Sequence, residues 1–543
     1  MAGEPAPEDL NLEALGRAYR IYKAGYDPKS GGFGGAPKFP MPVTHHLLLR
    51  YYDFENSRDP HSGEATIALD MSVQTLRAMD RGGIYDQIGG GFHRYSTDER
   101  WHVPHFEKML YDNAQLAANF LDAFQITGDA EFAEVARGTL DYLLRDMVHP
   151  DGGFYSAEDA DSFPLGGTHK TEGAFYVWEK KEIMDLLGPE EGETFCRRYG
   201  VRPEGNAQED PHGEFPNKNI LFQAASLEDA ARPSGLSRES AVRMLDTGRQ
   251  RLLSVRAKRP RPHLDDKILS SWNGLALSAF ARACQVFGRG DYGQAAERAA
   301  LFLRRHLYDE KEKRLYRRWR EGDRQVPGMA DDYAFLTQGL LDLYEATFDP
   351  QWLLWAEELA QTMTDLFYDS ANGGFYMTSG TDGGLILRMR DAVDNVEPSA
   401  GSVAVLNLLR LAEMLDRPDF REKAERTLQA SAAALREHPR AFPSMLGSLC
   451  FALSSPPQIV LTGSFSTDML KTVHSRFMPQ KTLMWLDGGE RQALLSRRVP
   501  FLQAFHSKSG ETEAHVCFNH ACQQPVSTPQ ALEDQLQAAE SHP

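Results

Sequence analysis

The chain has 543 residues and a formal net charge of −18, because 59 basic residues stand against 77 acidic ones. This charge repels phosphate backbones and anionic lipid, so it argues against nucleic acid and membrane surfaces as main partners. Hydrophobic residues make up 41% and charged residues 25%, the balance of a globular protein. No charge-free segment is long enough to span a bilayer.

The N-terminal segment MAGEPAPEDLNLEAL has neither a basic start nor an apolar core. It therefore predicts no signal peptide and a cytoplasmic location for this form. A longer form with an upstream targeting segment could be secreted, so the compartment of such a form stays open.

Helical patterns begin near the N-terminus, where helices are expected at residues 10–26, 44–52 and 65–81. Farther along, four similar phrases open amphipathic helices: TGDAEF, GRGDYG, FDPQWL and DRPDFR. Their acidic residues suit helix N-caps, because a carboxylate accepts hydrogen bonds from the first free amides. Between these helices lie others that are apolar on most faces, which indicates burial on both sides.

This alternation of buried and amphipathic helices is typical of the inner and outer rings of an α/α toroid. We expect the toroid to cover residues 1–455, with inner helices that begin near His105, Leu269, Ala330 and Ser399. A polar stretch at 201–216 predicts a long loop within it.

The pattern changes after residue 455. The segments QIVLTG, KTLMWLD and AHVCFN predict strands, and STDMLKTVHSRF and TPQALEDQLQAA predict helices, which gives a small α/β unit at 456–543. Five cysteines are too few, and odd in number, for a disulfide-built fold. Cys517 and Cys522 could cross-link or bind a metal, but two free thiols are the expected state.

The strongest candidate for catalysis is the phrase RWHVPHFEKMLYDNAQL. Its proline suits a first helical turn, so we expect His102 just before the helix and His105 in that turn, with Lys108 and Asp112 near the same face. Together with Glu107, these residues could supply a general acid, a general base and an orienting carboxylate. A metal site and a purely capping role are the alternatives, and no metal is assigned.

Other polar residues gather at the starts of the buried helices or on the loops before them. Parallel inner helices share one rim, so these residues are expected to line one pocket. Trp beside Asn is a pairing that stacks on a sugar face and bonds its hydroxyls. The alternative for each is an ordinary cap or a solvated loop. The candidate ligand contacts of this group are Glu158, Asp159, Asp266, Trp272, Asn273, Asp332, Tyr333 and Glu397.

The glycine-rich runs GGFGGAPKFP and GGIYDQIGGGFHRYS do not have the context of a nucleotide-binding loop, so no nucleotide cofactor is expected. We interpret them as tight loops at the pocket rim. The side chains expected to project from them include Lys38, Tyr85, Asp86 and Arg94.

These glycine-rich runs, together with RWHVPHFEKMLYDNAQL, EGAFYVW, DDKILSSWNGL and MADDYAFL, resemble the family of spermatogenesis-associated protein 20 and its bacterial relatives. The resemblance covers nearly the whole chain. It implies an all-α, (α/α)6 six-hairpin barrel similar to glycosidases and N-acylglucosamine 2-epimerases, a carbohydrate-like pocket, and a link to spermatogenesis in vertebrate members. Members usually begin with a thioredoxin-like domain, whereas this chain has no Cys-x-x-Cys. No established reaction comes with the family.

Two hypotheses of function follow. The first is an enzyme that isomerises, epimerises or hydrolyses a sugar-like small molecule, with His102 and His105 as acid and base and no cofactor. Isomerisation suits paired histidines, whereas hydrolysis needs two opposed carboxylates. The second is a non-catalytic binding or scaffold protein on an enzyme-derived barrel. A scaffold would leave its cavity filled or its polar groups paired with one another.

Overall fold

The computed structural model describes residues 12–207, 215–380, 387–390, 393–507, 510–518 and 521–540. Its first helices are α1 (Leu12–Gly25), α2 (Pro42–Arg58), α3 (Gly63–Arg81), α4 (Leu110–Thr127) and α5 (Ala130–Asp146). Three two-residue strands precede α4: β1 (Tyr95–Ser96), β2 (Pro104–His105) and β3 (Lys108–Met109).

An inserted lobe follows α5. It contains β4 (Ala157–Glu158), β5 (Asp161–Ser162), β6 (Thr171–Glu172), α6 (Lys180–Leu187), α7 (Pro189–Arg198), α8 (Leu227–Ala231) and α9 (Arg238–Arg256). Its apolar core is built around Trp178, Ile183, Phe195 and Leu252. Residues 208–214 of the predicted long loop lie outside the described residues.

Regular helical hairpins resume after β7 (Leu264–Asp265) and β8 (Ile268–Leu269). The elements in order are α10 (Ser270–Phe287), α11 (Gly290–His306), β9 (Tyr308–Asp309), β10 (Arg314–Arg320), β11 (Asp323–Pro327), α12 (Ala330–Thr347), α13 (Pro350–Phe367), α14 (Ala400–Leu415), α15 (Pro418–Glu437) and α16 (Pro443–Leu453).

Six helices form a closed inner ring, in which α2, α4, α10, α12, α14 and α16 each pack on the next and α16 returns to α2. The amphipathic helices α1, α3, α5, α11, α13 and α15 lie outside them. The predicted all-α six-hairpin fold is therefore confirmed. Inner helices expected near Leu269, Ala330 and Ser399 begin within one residue of those positions. The helix expected at His105 begins instead at Leu110, because Pro104–His105 pairs as β2 with β1.

The four similar sequence phrases are the turns from inner to outer helices. Four of the inner helices, α4, α10, α12 and α14, end at a left-handed residue, which is Gly128 (φ 68°), Gly288 (φ 65°), Phe348 (φ 54°) or Asp416 (φ 51°). The next residue is the N-cap of the outer helix. The Asp129 and Asp349 side chains cap their helices, but Arg289 and Arg417 occupy the same position without capping.

Asp416→Gly is expected to stabilise the protein by about 0.5–1 kcal/mol, because glycine adopts the left-handed conformation without the Cβ clash. Asp416 is exposed, so the substitution removes no packing. Urea denaturation measures the change in free energy of unfolding. Gly288→Asp at the equivalent turn is the reciprocal control and is expected to destabilise by a similar amount.

The C-terminal unit contains β12 (Gln458–Thr462), α17 (Thr467–His474), β13 (Thr482–Leu486), α18 (Glu490–Ser496), β14 (Glu513–Phe518), β15 (Ala521–Cys522) and α19 (Pro529–Glu540). Its sheet has the order β13-β12-β14-β15, with β12 parallel to β13 and antiparallel to β14. Cys517 and Cys522 form a disulfide across β14 and β15, so the prediction of free thiols was wrong. In the part of the chain described, no helix could cross a membrane.

Candidate functional site

Loops lie at the N-terminal ends of the inner helices, and asparagine side chains of these helices bond the loop backbone. Asn113 of α4 accepts a hydrogen bond from the Phe92 amide at 2.7 Å and donates to the Phe92 carbonyl at 3.0 Å. Asn273 of α10 does the same with Phe154, at 2.7 and 2.9 Å. Asn273 is therefore a structural residue of this repeat, and its predicted contact with a ligand is not supported.

Polar and aromatic side chains meet at the N-terminal end of the inner ring, which we call the mouth. We define the mouth by Arg94, Tyr111, Asp112, Trp272, Asp331 and Glu397. The rings of Tyr111 and Trp272 lie edge to face, with centroids 4.8 Å apart. Gln115 of α4 donates to the Val396 carbonyl at 3.0 Å, which fixes the segment that carries Glu397.

Asp112 is the most unusual residue of the mouth. It is 1% exposed, and neither carboxyl oxygen has a hydrogen-bond partner among the described residues. Burial, followed by the neighbouring Glu397, raises the pKa of Asp112 well above its usual range. A buried carboxyl without partners is costly in the folded chain. Burial therefore favours the protonated form of Asp112, which has hydrogen-bonding capacity left for a ligand.

Glu397, which belongs to the loop before α14, lies next to Asp112 of α4. Burial, with the Asp331 carboxylate acting in the same direction, raises the pKa of Glu397 to about 7. A hydrogen bond with Trp272 opposes this rise. Glu397 can therefore exchange a proton near neutral pH, as a general acid or base must.

Asp331 supplies a third carboxyl group, in the first turn of α12. Arg317 donates one N–H group to both of its oxygens, at 2.8 and 2.9 Å. The mouth therefore combines an ion-paired carboxylate with two carboxyl groups that favour protonation. Sequence analysis assigned no role to Tyr111, although it lies directly before Asp112 in the strongest motif, or to Arg317, which lies outside the motifs.

The predicted histidine pair does not form one acid–base site. His105 stacks on Tyr95, and its imidazole nitrogens lie 3.7 Å from a Glu107 carboxylate oxygen and 2.7 Å from one of Glu172. Glu107 and Glu172 raise the pKa of His105 to about 9, so it is a cation at neutral pH and a poor base. Glu107 also pairs with Arg94 at 2.9 Å, which links this network to the mouth.

His102 points elsewhere. Its Nε2 lies 3.1 Å from the Asn206 carbonyl, and its ring packs edge to face on Phe222, both in the inserted lobe. The proposal of two histidines that exchange protons with one substrate therefore has no support in the geometry.

Asp332 and Tyr333 of α12 serve the fold. Asp332 accepts hydrogen bonds from the Ser271 amide at 3.0 Å and the Met329 amide at 2.8 Å, which joins α10 to α12. The Tyr333 hydroxyl accepts one from the Leu315 amide at 2.9 Å. The carboxyl group that faces Glu397 is accordingly that of Asp331, one residue before the predicted Asp332.

The candidates in the glycine-rich loops are buried. Lys38 is 1% exposed, and its ammonium bonds Asp27 and two backbone carbonyls at 2.8–2.9 Å. Asp86 bonds Lys108 at 2.9 Å and Arg256 at 2.8 and 2.7 Å. Tyr85 packs on Phe92. These loops hold the barrel and the lobe together, and of this group only Arg94 reaches the mouth.

The remaining acidic candidates lie in the lobe and in the loop before α10. Glu158 is buried between the Tyr142 hydroxyl at 2.8 Å and Arg261 at 2.7 Å. Asp159 lies 4.0 Å from Lys170, and Asp266 pairs with Arg320 at 2.7 Å. The three side chains pair with three different cations, so they do not form one acidic site.

Below the mouth, a cavity of about 60 Å³ lies inside the barrel, and we call it the channel. All six inner helices line it, mostly with small or polar side chains, and the Asn119 Oδ1 atom there has no partner among the described residues. Sequence analysis missed these residues, although single polar residues inside otherwise apolar helices were a usable signal. The polar side chains are His46, Gln115, Asn119, Ser278, Arg282, Gln338, Ser402, Ser444 and Ser448.

Within the described ranges, no group of three or more His, Cys, Asp or Glu side chains is placed to hold a metal ion. The mouth and channel instead offer carboxyl, hydroxyl, amide and aromatic groups. Such groups bind neutral polar molecules through hydrogen bonds and ring stacking.

Comparison with known sequences gives the family. Spermatogenesis-associated protein 20 of Homo sapiens is 40% identical over 538 residues, which cover 94% of this chain and 68% of that protein. The Mus musculus protein of the same name is 40% identical over 537 residues, with 94% and 67% covered. The chain belongs to the spermatogenesis-associated protein 20 family. An uncharacterized protein of Caenorhabditis elegans is also 34% identical over 554 residues, which cover 98% of this family member and 74% of the nematode protein.

No family model matches the chain. Among solved structures, the α-mannanase BT2949 of Bacteroides thetaiotaomicron covers 82% of this chain and 95% of its own, at 11% identity and a TM-score of 0.45. An unsaturated glucuronyl hydrolase of Bacillus sp. GL1 covers 81% and 94%, at 12% identity and a TM-score of 0.43.

Proposed function

We propose that this protein is a carbohydrate-active enzyme that cleaves a glycosidic bond of a sugar-like ligand at the mouth of the barrel. The observation that carries the proposal is the buried Asp112 carboxyl, which has no partner among the described residues and lies beside Glu397. Cleavage of a glycosidic bond needs one carboxyl group that donates a proton and one carboxylate on the other side of the bond, and Glu397 and Asp331 can fill these roles.

The roles follow from the environments of the three groups. Glu397, with a pKa of about 7, donates a proton to the leaving oxygen and recovers it from water. Asp331, paired with Arg317, attacks the sugar carbon from the opposite side as the leaving oxygen departs, and the water that gives its proton to Glu397 then displaces Asp331. Asp112 donates a hydrogen bond to a ligand oxygen, and Trp272 with Tyr111 provides the aromatic surface for a sugar ring.

Hydrolysis suits these groups better than isomerisation, because the two histidines do not share a site. The channel and its Asn119 amide oxygen, which has no partner among the described residues, favour a ligand-binding protein over a scaffold. The mammalian relatives are named for spermatogenesis, so the proposed reaction would serve that process in a relative that catalyses it.

A turnover screen tests the proposal. Purified protein is incubated with oligosaccharides and aryl glycosides of neutral and acidic sugars, and release of reducing ends or of the aryl group is measured. Glu397→Gln is expected to lower kcat by about 10²–10⁴-fold, because the proton-transfer group is lost. Glu425→Gln on the exposed outer surface of α15 is the matched control and should leave kcat unchanged. Binding without turnover by the unsubstituted protein would favour the non-catalytic alternative.

A further inference from the structure

A second cavity lies at the other end of the inner ring, and we call it the lower chamber. It has a volume of about 70 Å³ and is lined by α2, α4, α10, α12, α14 and residues 474–481 of the C-terminal unit. Gln125 of α4 donates to the His474 carbonyl at 2.7 Å and to the Arg476 carbonyl at 3.1 Å, which fixes this segment over the chamber. The space is large enough for several waters or one phosphate-sized group.

The walls of the lower chamber carry more positive than negative charge. Arg410 bonds Asp342 at 2.7 Å and Glu345 at 3.0 Å, and Glu345 also pairs with Lys481 at 3.2 Å. Arg282 pairs with Asp122. Arg476 lies at the entrance and pairs with Glu533, so this pair adds no net charge and is left out of the balance. In this layer, three carboxylates therefore face four cations, namely Arg50, Arg282, Arg410 and Lys481.

Arg50 has the weakest contacts of the four. It is 8% exposed, yet its guanidinium lies 3.5 Å from the His46 carbonyl oxygen and 3.9 Å from an Asp122 carboxylate oxygen. Burial lowers the pKa of Arg50 to about 10, which leaves it charged at neutral pH. His474 adds no charge, because burial lowers its pKa to about 3. A buried guanidinium with such long contacts retains donors for an anionic oxygen.

The geometry points to an anion site in the lower chamber, where Arg50, Arg282 and Lys481 bind the phosphate or carboxylate group of a small ligand. This site is separate from the mouth, because Asp112 and Asp122 lie ten residues apart on α4, a rise of about 15 Å. It opens toward a surface pocket that shares Gln125, Arg476 and Phe477 with it. The inference does not depend on the reaction proposed for the mouth.

Inorganic phosphate and acetate are the probes, compared with chloride at equal ionic strength by thermal unfolding and by calorimetric titration. Phosphate or acetate is expected to bind at one site and to raise Tm more than chloride does. Arg50→Gln and Lys481→Gln should each weaken that binding by about tenfold or more, because a charge-assisted hydrogen bond is lost. Lys471→Gln, which removes an exposed charge from the same C-terminal unit, should leave it unchanged.

Lys481→Gln should still fold, because Glu345 stays paired with Arg410. Its phosphate binding therefore decides the test if Arg50→Gln fails to fold. The inference is overturned if phosphate and acetate stabilise no more than chloride. It is equally overturned if Lys471→Gln weakens binding as much as Lys481→Gln does. Either result would mean that these charged side chains only join the barrel to the C-terminal unit and bind no ligand.

Discussion

Replacing Asp86 with alanine is expected to lower the free energy of unfolding by about 3–5 kcal/mol, because it leaves two buried cations without their carboxylate. Asp86 is 6% exposed and bonds Lys108 of β3 and Arg256 of α9, so the change also removes an ion pair between the barrel and the inserted lobe. Chemical denaturation followed by circular dichroism measures the loss.

Asp151→Ala is the control for Asp86. Its side chain is 61% exposed, so the expected change lies within about 0.5 kcal/mol. Although burial acts against it, Arg256 and Lys108 hold the pKa of Asp86 well below its usual range. Its contribution to stability is therefore present above the pKa of the unfolded chain, about 4, and is lost only as the pH falls through the lower folded value. A loss below about 1 kcal/mol for Asp86→Ala would contradict the structural role of this buried group.

Asp112→Asn, in contrast to Asp86→Ala, is expected to stabilise the protein and to raise the free energy of unfolding by about 1–3 kcal/mol at neutral pH. Because its pKa is raised, the folded chain holds the Asp112 proton to a higher pH than the unfolded chain, which releases it above about pH 4. The wild-type protein therefore loses stability as the pH rises from the unfolded pKa toward the folded one. The gain from asparagine should grow over that range and vanish near about pH 4.

Asp332→Asn is the matched control, because Asp332 is a buried aspartate at the start of the next inner helix but one and has its hydrogen bonds satisfied. It is expected to destabilise by about 1–3 kcal/mol. Urea denaturation at several pH values separates the two. If Asp112→Asn destabilised as Asp332→Asn does, Asp112 would be a structural residue and the proposed ligand contact would lose its basis.

The ring of helices could be predicted because burial pattern and turn chemistry are local properties of the sequence. The helix at His105 could not, because Pro104 fits a first helical turn equally well until the pairing of β2 with β1 is known. Lys38 and Asp86 looked like ligand contacts for a similar reason. Their partners, such as Arg256, are distant in sequence, and no local pattern reveals a buried ion pair.

The candidate site was predicted in part. Arg94, Asp112, Trp272 and Glu397 were expected at one rim, and the structure brings them together at the mouth. The choice of proton-transfer group could not be made from the sequence, since it depends on burial and on charges of residues distant in sequence, such as Asp331 and Arg317. The histidines were favoured because they lie with carboxylates in one short stretch, but Glu107 and Glu172 raise the pKa of His105 to about 9.

Infrared difference spectroscopy between about pH 6 and about pH 8 tests most directly whether the mouth holds a carboxyl group poised for proton transfer. Glu397 has a pKa of about 7, so the band of protonated carboxyl groups should lose intensity over this range. Other buried carboxyl groups such as Asp80 contribute to the same band, and subtraction of the Glu397→Gln spectrum isolates Glu397. The account predicts that this subtraction leaves one titrating carboxyl group. A flat difference, with Glu397 already ionised at about pH 6, would contradict it.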